Sequence, residues 1–251
     1  MAVTRKKTSG KTATKKTSTS KKKPANASAS FKPSAADLKT AGQRAEPILA
    51  LLYEDYGDAH TALHHKTPLQ LLVATILSAQ CTDERVNIVT ADLFKKYKKA
   101  ADYAGVAQEE LEEDIRSTGF YRNKARNIRS CCQDLVDKHK SKVPQTMEEL
   151  TALAGVGRKT ANCILGNCFN IPGVVTDTHV IRLSRLLGLS KNSDPVKLEY
   201  DLMALFPQKD WTQLSHMLIW HGRKICVARR PQCDACKLRP HCAYGRKTKT
   251  I

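Results

Sequence analysis

Lys159 follows the turn Gly155-Val156-Gly157 by two residues, where the apolar spacing of a new helix begins. A cation there faces the positive end of the helix dipole, and Arg158 beside it adds a like charge. Both effects disfavour the ammonium form, and a lysine held neutral is a nucleophile toward an electrophilic carbon. A surface lysine that touches a phosphate is the plainer use of the same residue. The turn's glycines relax the backbone and leave the amides of Gly155, Val156, Gly157 and Arg158 open to an anion, with room for a shared monovalent cation. Asp177 opens the stretch DTHVIRLSRLLGL, where it is a natural helix cap. A carboxylate is also a proton acceptor and a stabiliser of developing positive charge. Its own charge would raise a neighbouring lysine's pKa, against the dipole.

Cys226, Cys233, Cys236 and Cys242 are spaced C-x6-C-x2-C-x5-C. Four thiolates this close in sequence can hold zinc or an iron–sulfur cube. Cys81, Cys131, Cys132, Cys163 and Cys168 lie within apolar helical patterns and read as buried thiols. Between the first two clustered cysteines, VARRPQ offers Arg229 and Arg230 to phosphates.

The 251 residues carry a formal net charge of +18. Ten positive charges lie between Arg5 and Lys32, ahead of the first acid, which leaves about +8 for the rest. Such a balance favours a polyanionic partner, nucleic acid first. No run of about 18 apolar residues suggests a membrane span, and no apolar signal core opens the chain. Residues 1–35, rich in Lys, Thr, Ser and Ala, hold too little apolar surface to order themselves and read as a disordered basic tail. The tail adds nonspecific affinity for phosphates or serves only solubility; a transit peptide is a third reading. Its SGKT lacks the glycine and preceding strand that a phosphate loop needs.

Helical patterns follow one another from Ala36 onward. TPLQLLVATILSAQ begins with Thr67 as cap and Pro68 in the first turn, then runs apolar nearly all round, as a buried helix does. DYAGVAQEELEEDIRSTG reads as one acidic helix ending near Gly119. Thr146 and Glu149 form a capping box for a helix ending at Gly155, and Gly188 stops the helix that Asp177 starts. With no convincing alternating strands, the fold class is all-α.

LAGVGRKTA followed by NIPGVVTDTHVIRL resembles the helix-hairpin-helix plus Gly/Pro-Asp motif of DNA glycosylases. With the four cysteines, the chain resembles the endonuclease III family, over essentially all of residues 40–245. One departure is Ala154, where that family usually has proline. The resemblance implies two helical domains flanking a DNA-binding cleft: a bundle of about six helices with the hairpin over 59–170, and an iron–sulfur domain from 36–58 plus 171–251. It implies Lys159 as the Schiff-base nucleophile, Asp177 as its acidic partner, and a [4Fe–4S] cluster on the four cysteines. Because the monofunctional, adenine-removing branch lacks this lysine, a bifunctional glycosylase and lyase is expected.

A base inside a duplex must be flipped out and its place filled. By resemblance Gln80 enters the vacated stack and Phe120, where the family often has leucine, is the second wedge. A polar helix end and a packed core aromatic are the alternatives for these two. Asp83 would cap or orient the first loop. The partner expected is duplex DNA with damaged bases, the protein acting as a monomer, in the cytoplasm with the nucleoid of a bacterium or the nucleus or an organelle of a eukaryote. Oxidised pyrimidines are the expected lesions. Other glycosylase specificities, such as mismatched thymine or pyrimidine dimers, and a non-catalytic iron–sulfur DNA-binding protein are the alternatives.

Overall fold

A computed structural model describes residues 1 and 27–248. Most of the basic segment, residues 2–26, lies outside the described residues, as do residues 249–251. The helices are α1 (Ala27–Ser30), α2 (Ala35–Lys39), α3 (Ala41–Tyr56), α4 (Pro68–Leu77), α5 (Asp83–Lys96), α6 (Ala100–Gly105) and α7 (Gln108–Asp114). They continue with α8 (Tyr121–His139), α9 (Met147–Ala152), α10 (Arg158–Phe169), α11 (Thr178–Leu187), α12 (Pro195–Leu205) and α13 (Trp211–Lys224). Among the described residues there is no strand, and the fold is all-α.

The chain forms two apolar cores. The first gathers Leu71, Leu72 and Leu77 of α4 with Ile128 and Leu135 of α8 and Ile164 of α10. The second joins Ile48 and Leu52 of α3 to Leu183 of α11, Leu202 of α12 and Leu218 of α13. Burying such side chains contributes roughly 1.5–3 kcal/mol each. α10 bridges the cores: Gly166 approaches α13 so closely that a Cβ there would lie 2.5 Å from the Thr212 hydroxyl.

Local sequence explains the helix starts. Thr67, Thr82, Thr146 and Asp177 each accept a hydrogen bond from the third residue beyond them. Two boundaries differ from the sequence reading. The acidic stretch is two helices, not one, because Val106 and Ala107 are extended and let α7 turn separately against α8. The helix capped by Thr146 ends at Ala152, with Leu153 extended, before the glycines are reached.

Residues 27–35, read as part of a disordered tail, are held in place. Ser28 is buried and donates to the Ala228 carbonyl at 2.7 Å, and Phe31 packs edge-on against Tyr244. Ser34 caps α2 together with Asp37, whose buried carboxylate also receives Arg246 and Lys247. Four polar contacts and one ring pair thus fix a stretch that is too poor in apolar residues to fold by itself.

Candidate active site

Lys159 is the second residue of α10, and Asp177 is the N-cap of α11. Both line an open cavity where the two cores meet, with room for about 120 Å³ of solvent. Its walls come from both cores: Thr75 of α4 and Cys163 of α10 on one side, His216 and Trp220 of α13 on the other. The Asp177 carboxylate accepts the Val180 amide at 2.8 Å and meets His179 Nδ1 at 3.1 Å. Burial pushes the Asp177 carboxyl up. The hydrogen bonds from His179 and Val180, and the charges of His179 and Lys159, outweigh burial and hold it below the usual carboxylate range. The nearest side-chain partner of Asp177 is His179, and Lys159 lines the cavity beside Asp177.

At the turn before α10, Gly155 adopts a φ of +77°, and a Cβ there would lie 2.9 Å from the Asn127 side chain. Gly157 has a φ of −94°, open to any residue; what it contributes is a bare surface, with nothing within 4 Å of where a Cβ would stand. The first amides of a helix lack partners within it, so the start of α10 can receive an anion.

Two residues expected to contact DNA have partners within the protein. Val156 is buried in the first core and its N–H donates to the Leu153 carbonyl at 3.1 Å, which takes both side chain and amide away from the surface. Arg158 makes a bidentate pair with Glu199, at 2.7 and 2.8 Å, and stacks over Tyr200. Glu199 is almost fully buried, so this fork fastens the hairpin to α12 and its charge is largely cancelled.

Gln80 and Phe120 are exposed, Phe120 at 62 %, and both are left-handed, with φ of 52° and 48°. An exposed aromatic held in strained backbone is not a core residue. Thr82 caps α5, not Asp83; Asp83 instead pairs with Arg223 at 2.6 Å across the cavity that both line. The sequence reading took Cys163 for a buried thiol and passed over His216 and Trp220, although Cys163 lies one helical turn beyond Lys159 and His216 and Trp220 share one face of α13.

Cys226, Cys233, Cys236 and Cys242 line one small space, walled by Leu183, Leu186 and Leu187. Among the described residues no three His, Cys, Asp or Glu side chains converge where a single ion could be held. Four free cysteine sulfurs around one space are the donor set that a thiolate-held cluster takes. Arg182 lies 3.7 Å from the Cys226 sulfur and the Gly245 amide donates to that of Cys242, donors that suit sulfur carrying negative charge. Arg229 and Arg230 are exposed in the loop between the first two cysteines.

Residues 73–208 match the model of the HhH-GPD superfamily base excision DNA repair proteins. The endonuclease III of Synechocystis sp. is 53 % identical over 201 residues, 80 % of this chain and 92 % of that protein. Two solved structures, a non-covalent endonuclease III–DNA complex and a trapped endonuclease III–DNA covalent intermediate, superpose with a TM-score of 0.79 at 44 % identity. They cover 82 % of this chain and 97 % of theirs. The chain therefore belongs to the HhH-GPD superfamily and, within it, to the endonuclease III family of base excision repair DNA glycosylases with AP lyase activity.

Proposed function

We propose that Lys159 is the nucleophile of this chain, that Asp177 is its acidic partner, and that oxidised pyrimidines in duplex DNA are its substrates. The observation that carries this reading is the shared cavity: an amine and a carboxylate, each in the first turn of its own helix, line one space between two cores. The Lys159 nitrogen bonds to C1′ of the damaged nucleotide as the bond from C1′ to the base breaks. Asp177, held ionised, stabilises positive charge on the sugar and takes up the proton that the amine releases. The base leaves with the electron pair of the glycosidic bond and takes a proton from solvent. The C1′–O4′ bond then breaks, O4′ takes the proton held by Asp177, and the nitrogen lone pair closes the C1′=N imine on Lys159. Loss of a proton from C2′ then expels the 3′ phosphate, which nicks the strand. Gln80 and Phe120 fill the gap left by the extruded nucleotide.

Cys226, Cys233, Cys236 and Cys242 would hold a [4Fe–4S] cluster, which supplies a covalent tie for an otherwise short, loop-rich segment. That tie presents Arg229 and Arg230 to phosphates. The protein's place of work is with the chromosomal DNA it repairs.

Borohydride reduction in the presence of an abasic duplex tests the nucleophile. Wild-type protein is expected to form a covalent adduct and Lys159→Gln to form none; an adduct that survives the substitution moves the nucleophile elsewhere. Removal of oxidised pyrimidines, set against mismatched thymine and pyrimidine dimers in the same duplex, tests the lesion class.

A further inference from the structure

Lys124 lies on the first turn of α8 and is 4 % exposed, an unusual place for an ammonium. Its Nζ donates to the Leu77 carbonyl and to the Thr118 carbonyl, at 2.8 Å each. Leu77 is the last residue of α4, three residues before Gln80, and Thr118 stands two residues before Phe120. We propose that Lys124 is a positioning residue which ties the Gln80 loop to the Phe120 loop, so that both enter the duplex as one rigid unit. The inference rests on the reading that Gln80 and Phe120 fill the vacated stack.

Three features support the tie. Gln80 and Phe120 both occupy the left-handed region, where a non-glycine residue persists only if its surroundings hold it. Leu77 ends a helix, so its carbonyl lacks an intrahelical partner and sits at the negative end of the dipole, where a cation is favoured. Burial pulls the Lys124 ammonium down in pKa, opposed by the nearby Cys81 sulfur, and the two carbonyl bonds compensate a charge that water does not reach. A plain core position would be filled by an apolar side chain without that desolvation.

The test compares two substrates. A duplex with an intact oxidised pyrimidine requires extrusion and gap filling; a single-stranded abasic oligonucleotide presents its sugar with nothing to extrude. In single-turnover assays of folded protein, Lys124→Met is expected to slow base removal from the duplex by about tenfold or more, while borohydride trapping on the single strand stays within about twofold. Equal losses on both substrates, or no loss on either, would overturn the proposal, since a merely structural role does not distinguish them. Lys124→Arg, whose planar head does not reproduce both bonds, carries the same comparison if the methionine variant does not fold. Phe120→Ala separates the two readings. Should it leave duplex processing unchanged, the wedge reading fails; should it slow the duplex reaction while K124M does not, only the tie fails. Where both hold, the two substitutions are expected to combine less than additively, the double variant losing less than the product of the two single losses.

Discussion

Asp177 has two functions that one substitution separates. As an N-cap it needs only an acceptor for the Val180 amide, and an asparagine supplies one nearly as well. As a charge beside Lys159 it needs to be a carboxylate. Asp177→Asn is thus expected to keep thermal stability within about 1 kcal/mol of wild type while base removal and imine trapping fall by roughly 100-fold or more; equal activity in D177N would refute the electrostatic role. Single residues were also where the sequence was least complete as a guide. The pairing of Lys159 and Asp177 with one cavity needs a fold, but the spacing of each to its own helix start is written in the Gly-Val-Gly turn and the cap. Arg158 and Val156 were legible only as residue types. Their use depends on Glu199 and on the first core, which come from distant parts of the chain. His179 is similar: standing two residues after Asp177 in sequence does not reveal that its ring turns back onto the carboxylate.

Among the elements, helix starts were readable because a threonine or aspartate cap acts within four residues, whereas helix breaks were not. Nothing in GVAQ marks the extended pair Val106 and Ala107 that separates α6 from α7; packing of each piece against α8 decides it. α13 shows how tertiary packing also changes a titratable group. Burial, with the charge of His60 adding to it, lowers the His216 pKa to about 4, and its Nε2 lies 3.0 Å from the Asn167 amide oxygen. In the unfolded chain an imidazole titrates near 6.5. Between about 6.5 and 4 the unfolded state therefore binds more protons than the folded state, so stability falls as the pH is lowered through that window. His216→Gln removes the proton site and retains a polar partner for Asn167. It is expected to flatten the dependence of unfolding free energy on pH there, by up to about 1.4 kcal/mol per pH unit, in denaturant titrations at pH 7, 6 and 5. A slope unaltered by the change would assign the acid sensitivity to other groups.

At the scale of the whole molecule, the two cores are joined by links that lie around the cavity: α10 against α13 at Gly166, Arg158 to Glu199, and Asp83 to Arg223. Ser28 is fastened to the Ala228 carbonyl, so the chain that precedes it starts beside the loop bearing Arg229 and Arg230. Residues 2–26 carry nine lysines and arginines and no acid. Each phosphate that a cation neutralises releases counterions and contributes about −0.9 to the slope of log affinity against log salt. Deleting residues 2–26 while keeping Ser28 is thus expected to weaken binding to undamaged duplex at low salt and to make the slope shallower, by at least one contact's worth. The trapping rate on saturating abasic duplex should stay the same, because no residue of the cavity is removed. Binding isotherms at four salt concentrations measure the slope directly. If the truncated protein keeps the full slope, the segment touches no phosphate and its charge serves only solubility.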